Sequence, residues 1–324
     1  MRRRQFLRGS AACMALGTGA KVVLAQGYPD RLIKYVVGFP PGGSADLVAR
    51  LYAERMTATL RQGYVIENVP GASSNIASAQ VARAEPDGYT LLISSSIGHA
   101  ISPWMFKLNF DVLRDFAPVS LLAVYPLIVA VSPSLGVRTI SDMVAMSQRV
   151  PGGLFYATSN AGFQIAGVQI AKATGARLVN VPFKGGAEAA TSVIAGTVPM
   201  IIGTPPTIVP HIESGSMVGL ALTTAKASPV LPGIPSAEEA GVPGVDIASW
   251  FGLFAPARTP KPVIQKLFSA VQATRSEELL RKKFALEGMI PSFSDSPEEF
   301  TAFVADEHAR YRDLVREAGL GLKP

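Results

Sequence analysis

Between Val36 and Met56 the chain reads VVGFPPGGSADLVARLYAERM. A short apolar run, four consecutive Pro and Gly residues and an amphipathic helical pattern follow one another. The first turn of a helix leaves backbone N–H groups without partners and carries partial positive charge, so a Gly-rich strand-to-helix loop can receive a carboxylate or phosphate. Glycines let an anion approach the backbone closely. Ordinary capping would satisfy the same donors, with Ser44 or Gly43 at the N-cap and Asp46 in the first turn. A second stretch, Val181-Pro-Phe-Lys-Gly-Gly186, repeats the arrangement of apolar strand, Phe, Gly pair and helix start. The repetition favours binding over capping, with Gly42 and Gly43 on one side and Gly185 and Gly186 on the other. Lys184 could pair with the anion or remain solvated.

Other chemistry-bearing residues point less clearly. His99 follows Ser94, Ser95 and Ser96 at the end of an expected strand, where open α/β sheets place ligands. Plain turn chemistry explains that loop equally well. Neither Gly-rich loop has the Gly-x-x-x-x-Gly-Lys-Ser/Thr spacing of a nucleotide P-loop, and no Gly-x-Ser-x-Gly elbow occurs. His99, His211 and His308 lie far apart, without the His-x-x-x-His spacing of a zinc site. A serine hydrolase that assembles its triad from distant positions stays open as a rival reading, built on a cleft serine and His99. Asn68 and Asn160 could offer amide hydrogen bonds or form turns. Trp250 and Phe251 read as core or hinge packing.

The elements that must position these residues alternate along the chain. Tyr35-Val36-Val37 is a strand candidate, and Ser44 to Leu60 places Leu47, Val48, Leu51, Tyr52 and Met56 on one helix face. Strands are expected at 64–67 and 89–94, with a helix over about 76–84 between them. The apolar run 119–131 is long enough to cross from one lobe to another. A second series follows, with helices at 140–150, 164–174 and 187–195 and strands at 154–157, 178–181, 200–202 and 218–223. Pro and Gly crowd 229–244, the run 250–255 reads as a strand leading back, and helices are expected near 262–274, 277–286 and 297–318. This alternation argues for largely parallel sheets with helices on their faces. Two crossings imply two α/β lobes, one from 26–125 plus 250–324 and one from 126–249, with a ligand cleft between them.

Composition fits an exported globular protein. The 324 residues are 48% hydrophobic and 8% aromatic. Residues 1–25 combine an arginine cluster, a moderately apolar stretch and the small-residue pattern Val23-Leu24-Ala25, as in a signal peptide cut after Ala25. Arg3-Arg4-Gln5-Phe6-Leu7-Arg8 resembles the twin-arginine export consensus. Five basic residues and no acid leave with this segment, so a formal charge of +6 becomes +1. The basic pI therefore gives no support to a nucleic-acid partner. The single cysteine, Cys13, lies inside the presumed signal, so the mature chain is expected to carry no thiol and no Cys-based metal site.

Several stretches together resemble one family. Tyr28-Pro-Asp-Arg, Val37-Gly-Phe-Pro-Pro-Gly-Gly-Ser-Ala-Asp46, Glu67-Asn-Val-Pro-Gly-Ala72, Pro86-Asp-Gly-Tyr-Thr-Leu-Leu92, Asp115-Phe-Ala-Pro118, Val181-Pro-Phe-Lys-Gly-Gly186 and Trp250-Phe-Gly-Leu-Phe-Ala-Pro256 come in the order and spacing of the Bug (TctC-like) receptors. These are extracytoplasmic solute-binding proteins of tripartite tricarboxylate transporters. The resemblance implies a type II-like periplasmic-binding-protein fold, two α/β lobes closing over a small mono- or dicarboxylate. It also implies recognition by backbone and small polar groups with ordered waters, no catalysis and no cofactor, a periplasmic monomer and delivery to membrane permease subunits. By motif position it places the site at Phe39, Gly42, Gly43, Asp46, Ser94, Ser95, Ser96, Ser159, Asn160, Lys184, Gly185 and Gly186, to which the loop readings above add Ser44 and His99.

The chain departs from the family pattern in three places. Gln164 stands where a histidine is common, Pro199 and Gly203 replace a pair of aspartates, and Ser73-Ser74 precede Asn75 where glycine is usual. The missing acids weaken any expectation of a ligand amino group. A sensing role beside a membrane signalling protein is a third reading that the resemblance permits.

Overall fold

The computed structural model describes residues 27–322. The arginine cluster, Cys13 and the expected cleavage site lie outside the described residues. The first half builds β1 (Ile33–Val37), α1 (Ser44–Leu60), β2 (Tyr64–Asn68), α2 (Asn75–Ala82) and β3 (Thr90–Ser95). β1 pairs in parallel with β2 and β3, with Val37 opposite both Asn68 and Ile93. The loops after all three strands therefore open at one edge of the sheet, the edge where α/β proteins hold ligands. α1 buries Ala45, Val48, Tyr52 and Met56 at three- and four-residue spacing, as an amphipathic helix on a sheet should.

A π-helical turn, Ile97–Ile101, and the short α3 (Ser102–Met105) lead to β4 (Phe116–Pro126). Leu127 separates β4 from β5 (Ile128–Val131), which belongs to a different sheet. The apolar run expected to cross between lobes is thus two strands joined at one buried leucine. Next come α4 (Ile140–Arg149), β6 (Leu154–Thr158), α5 (Ala161–Thr174), β7 (Leu178–Pro182), α6 (Gly186–Ile194), β8 (Met200–Gly203), α7 (Pro205–Glu213) and β9 (Val218–Leu222). The chain returns through β10 (Ala248–Pro256) and finishes with α8 (Lys261–Gln272), α9 (Glu278–Leu286), β11 (Ile290–Pro291) and α10 (Pro297–Glu317).

The two sheets run β11-β4-β10-β3-β1-β2 and β7-β6-β8-β5-β9. Both are mixed rather than largely parallel. β10 pairs antiparallel with β3 and β4, and β5 pairs antiparallel with β8 and β9. The reason is topological. A strand arriving from the other lobe enters at the carboxyl edge, so it must run against the strands already there.

β5 shows how the second sheet is filled on both faces. Val129 and Val131 join the larger apolar core with Ile140, Tyr156 and Ile165, while Ile128 and Ala130 face Val193, Ile201 and Ile208. α7 was not expected from the sequence, because its nine residues hold three prolines. Pro205 and Pro206 occupy its first turn, where the missing N–H is no loss, and only Pro210 lies inside.

One buried hydroxyl ties the two crossings together. Thr223 Oγ1 accepts the Leu127 N–H at 3.0 Å and donates to the Ile247 carbonyl at 2.6 Å. Backbone bonds from Thr223 N to Leu127 O and from Ile247 N to Thr223 O complete the tie.

Candidate ligand-binding cleft

The loop after β1 is held in shape by Asp46. Its carboxylate accepts from Gly42 N–H at 3.0 Å, from Arg50 Nε at 2.8 Å and from Asn68 Nδ2 at 3.1 Å. Asn68 also donates to the Phe39 carbonyl, so the end of β2 braces the loop. Burial alone would push the Asp46 carboxyl up, but the bonds from Arg50, Gly42 and Asn68 outweigh it and hold it below its ordinary value. Gly42 sits at φ +80°, a left-handed conformation that favours glycine. Gly43 is the N-cap of α1, and no side chain caps that helix. With Asp46 committed to Gly42, the first-turn N–H groups are left facing outward.

The loop after β7 uses the same construction. Gly185 is the N-cap of α6 without a side-chain cap, and Glu188 accepts the Lys184 N–H at 3.3 Å. Asp46 and Glu188 occupy the same helical position, each bonded to the residue just before its N-cap glycine. The echo seen in the sequence is therefore an echo in hydrogen bonding.

Both helix starts border one cleft of about 420 Å³, lined by Gly42, Gly43, Ser44 and Leu47 from the first lobe and by Ala187, Ala190 and Thr191 of α6. α7 adds Pro206, Thr207 and His211, and Glu287, just after α9, completes the lining. Gly186 stands at its edge, where a Cβ would lie 3.0 Å from Thr207 Oγ1. α7 offers no backbone donors in its first turn: two positions are proline, and the Thr207 N–H bonds to the Thr204 carbonyl. Among the described residues no lysine or arginine lines the cleft. The available anion-binding groups are backbone N–H groups of α1 and α6, with threonine and histidine side chains nearby.

Of the expected site residues, Gly42, Gly43 and Ser44 line this cleft and Gly185 and Gly186 start its second wall. Asp46 does not; its side chain is buried beneath the loop and shapes it. Lys184 is exposed and contributes its backbone N–H to Glu188. Phe39 is half-buried and packs against the core. Asn160 caps α5 by accepting the Phe163 N–H at 3.3 Å, which starts that helix three residues before the expected position. Ser159 sits half-buried beside it.

His99 requires a correction. It is 0% exposed, its ring stacks on Phe254 at 4.0 Å and meets Phe116 edge-on, and its Nδ1 is 2.8 Å from Ser94 Oγ. Burial lowers its pKa to about 3, with a smaller contribution from His308. Serine and histidine stand at nucleophile–base distance, yet both are sealed inside the first lobe and the imidazole is a poor base. Ser94 and His99 are core residues, which removes the geometric support for a hydrolase. Ser96 is also buried, against Ser249 Oγ at 3.3 Å.

At the carboxyl edge of the first sheet, Ala72, Ser73 and Ser74 occupy φ +46°, +56° and +73° in succession. These are positions where glycine is sterically free and other residues are strained. Ser74 lies so close to the end of β1 that a Cβ on Gly38 would fall 1.8 Å from Ser74 Oγ. Ser74 Oγ and Ser95 Oγ are buried without a hydrogen-bond partner among the described residues.

A two-lobed α/β molecule with its loops meeting at one cleft is a solute-binding protein in form. The sequence model of the tripartite tricarboxylate transporter family receptor matches residues 48–320, and the chain belongs to that family. It is 32% identical over 311 residues to protein BugT of Bordetella pertussis, with 94% of each chain covered. Among solved structures it resembles R. palustris Rpa4515 with adipate, with a TM-score of 0.83, 33% identity and 91% and 99% of the two chains covered. MatC (Rpa3494) from Rhodopseudomonas palustris, with bound malate, aligns with a TM-score of 0.78 at 29% identity, covering 89% of this chain and 100% of that one. Family members of this kind are receptors rather than enzymes.

Proposed function

We infer that this chain is a periplasmic receptor that captures a small organic carboxylate and passes it to the membrane permease subunits of a tripartite transporter. The observation that carries this reading is the pair of glycine-capped helix starts, α1 and α6, opening on one cleft. Each presents N–H groups with partial positive charge. The carboxylates bound by two similar structures, adipate and malate, agree with that chemistry. The receptor performs no catalytic step, works as a monomer and is released by cleavage near Ala25. Its lobes comprise residues 26–125 with 250–324, and residues 126–249.

Titration calorimetry of the mature protein against a panel of mono- and dicarboxylates tests the reading. Heat is expected for at least one acid and should disappear in Gly43→Leu with the melting temperature preserved, because a Cβ there meets only the Pro40 carbonyl, at 3.6 Å. A panel without any heat or thermal shift would sink it. Mass spectrometry of the small molecule that co-purifies would name the ligand.

A further inference from the structure

Two of the side chains that line the cleft are not otherwise used by the fold. Glu287 comes from the first lobe and His211 from α7 of the second, and both line the cleft. Among the described residues neither side chain has a hydrogen bond or ion pair. The basic residues of α9 are engaged elsewhere, Lys282 with Glu278 at 2.7 Å and Lys283 with Glu54 at 3.7 Å. Glu287 is therefore an uncompensated negative charge beside the ligand space.

Its position is set by close packing. Gly288 follows it at φ +63°, and a Cβ there would stand 2.4 Å from Pro205 Cβ and 3.1 Å from Leu231 Cδ2. Only glycine lets the turn after α9 press against the start of α7. That contact between lobes brings Glu287 beside the start of α7, the helix that carries Thr207 and His211 to the same cleft.

The charge balance then discriminates between ligands. One carboxylate can rest on the two helix starts. A second carboxylate reaching Glu287 would meet its charge, with no lysine or arginine among the described lining residues to offset the repulsion. A hydroxyl placed there satisfies both residues, donating to the Glu287 carboxylate and accepting from an imidazole N–H of His211. Specificity of this kind comes as much from the rejected competitor as from the accepted group.

We propose that Glu287 and His211 are specificity-determining residues that select a monocarboxylate bearing a hydrogen-bond donor at its far end, and reject the dicarboxylate of equal length. The proposal rests on the carboxylate-receptor reading and narrows its ligand class. It sets this chain apart from the adipate- and malate-bound proteins it resembles.

Calorimetry with ω-hydroxybutanoate and ω-hydroxyhexanoate, each against succinate or adipate of matching length, provides the test. The wild-type protein is expected to bind one hydroxy acid at least about tenfold more tightly than its dicarboxylate, the size of a single like-charge contact near a protein surface. Glu287→Gln should erase most of that ratio by admitting the dicarboxylate, and His211→Ala should weaken the hydroxy acid. Equal or tighter dicarboxylate binding by the wild type would overturn the proposal, as would an unchanged ratio in folded Glu287→Gln, while leaving the receptor reading intact. No binding of any acid at any length would overturn both.

Discussion

The Asp46 carboxylate accepts the Gly42 N–H at 3.0 Å, four residues back along the chain, and so turns a helix cap into a loop brace. Ordinarily an acid near a helix start competes with an incoming anion for the same donors. Here the acid bonds behind the N-cap, and the donors of the first turn stay available. Asp46→Ala is expected to cost about 2 kcal/mol, from a buried hydrogen-bond hub losing its acceptor. It should weaken ligand binding as well. Chemical denaturation and calorimetry on one preparation would separate the two effects.

The same carboxylate gives a pH dependence whose sign can be stated. Its folded value lies below the ordinary 3.8, so its stabilisation is complete above 3.8 and is lost as pH falls through the lower folded value. Wild-type protein should lose this contribution in strong acid, and Asp46→Asn should lack that step.

His99 acts in the same sense but at higher pH. Neutral in the fold down to about 3, it takes up a proton readily once unfolded, near 6.5. Unfolding therefore draws in a proton between those values, and stability should fall as pH drops from 6.5 towards 3, by at most about 1.4 kcal/mol per pH unit. His308, also depressed by burial, adds to the same trend. His99→Gln should flatten the slope, as followed by urea midpoints across that range. His99→Ala should cost about 3 kcal/mol through the cavity left against Phe254 and Phe116.

Strain at the start of α2 can be relieved. Replacing Ser73, at φ +56°, with glycine removes a steric penalty of about 1 kcal/mol. Thermal unfolding should shift upward for Ser73→Gly, and an unchanged or lower midpoint would show that the side chain holds the loop. Gly38→Ala should do the reverse, costing about 1–3 kcal/mol, because its Cβ would overlap Ser74 Oγ.

Much of the architecture is legible in the residues. The β/α alternation, the crossing run 119–131 and the paired Gly loops all follow from local periodicity and glycine placement. What could not be read depends on contacts distant in sequence. His99 looks like a loop histidine until Phe116 and Phe254 close around it. His211 and Glu287 reach the cleft only because α7 forms despite its prolines and because Gly288 packs on Pro205. Asp46 reads as a first-turn acid, but its bond back to Gly42, and the matching bond of Glu188 to Lys184, depend on backbone geometry that composition does not reveal.

Thr223 carries a mechanical consequence. The Thr223 hydroxyl adds a side-chain link to the backbone bonds and the β4–β10 ladder that already join the outgoing and returning strands, so the joint between the lobes is a pinned hinge, not a pair of independent straps. Motion about such a pin keeps the α1 and α6 jaws in register as they open and shut. Thr223→Val, which keeps the shape and removes only the hydroxyl link, should leave each lobe folded while broadening the distribution of lobe angles seen by small-angle scattering, and an unaltered distribution would show that the backbone bonds alone hold the hinge.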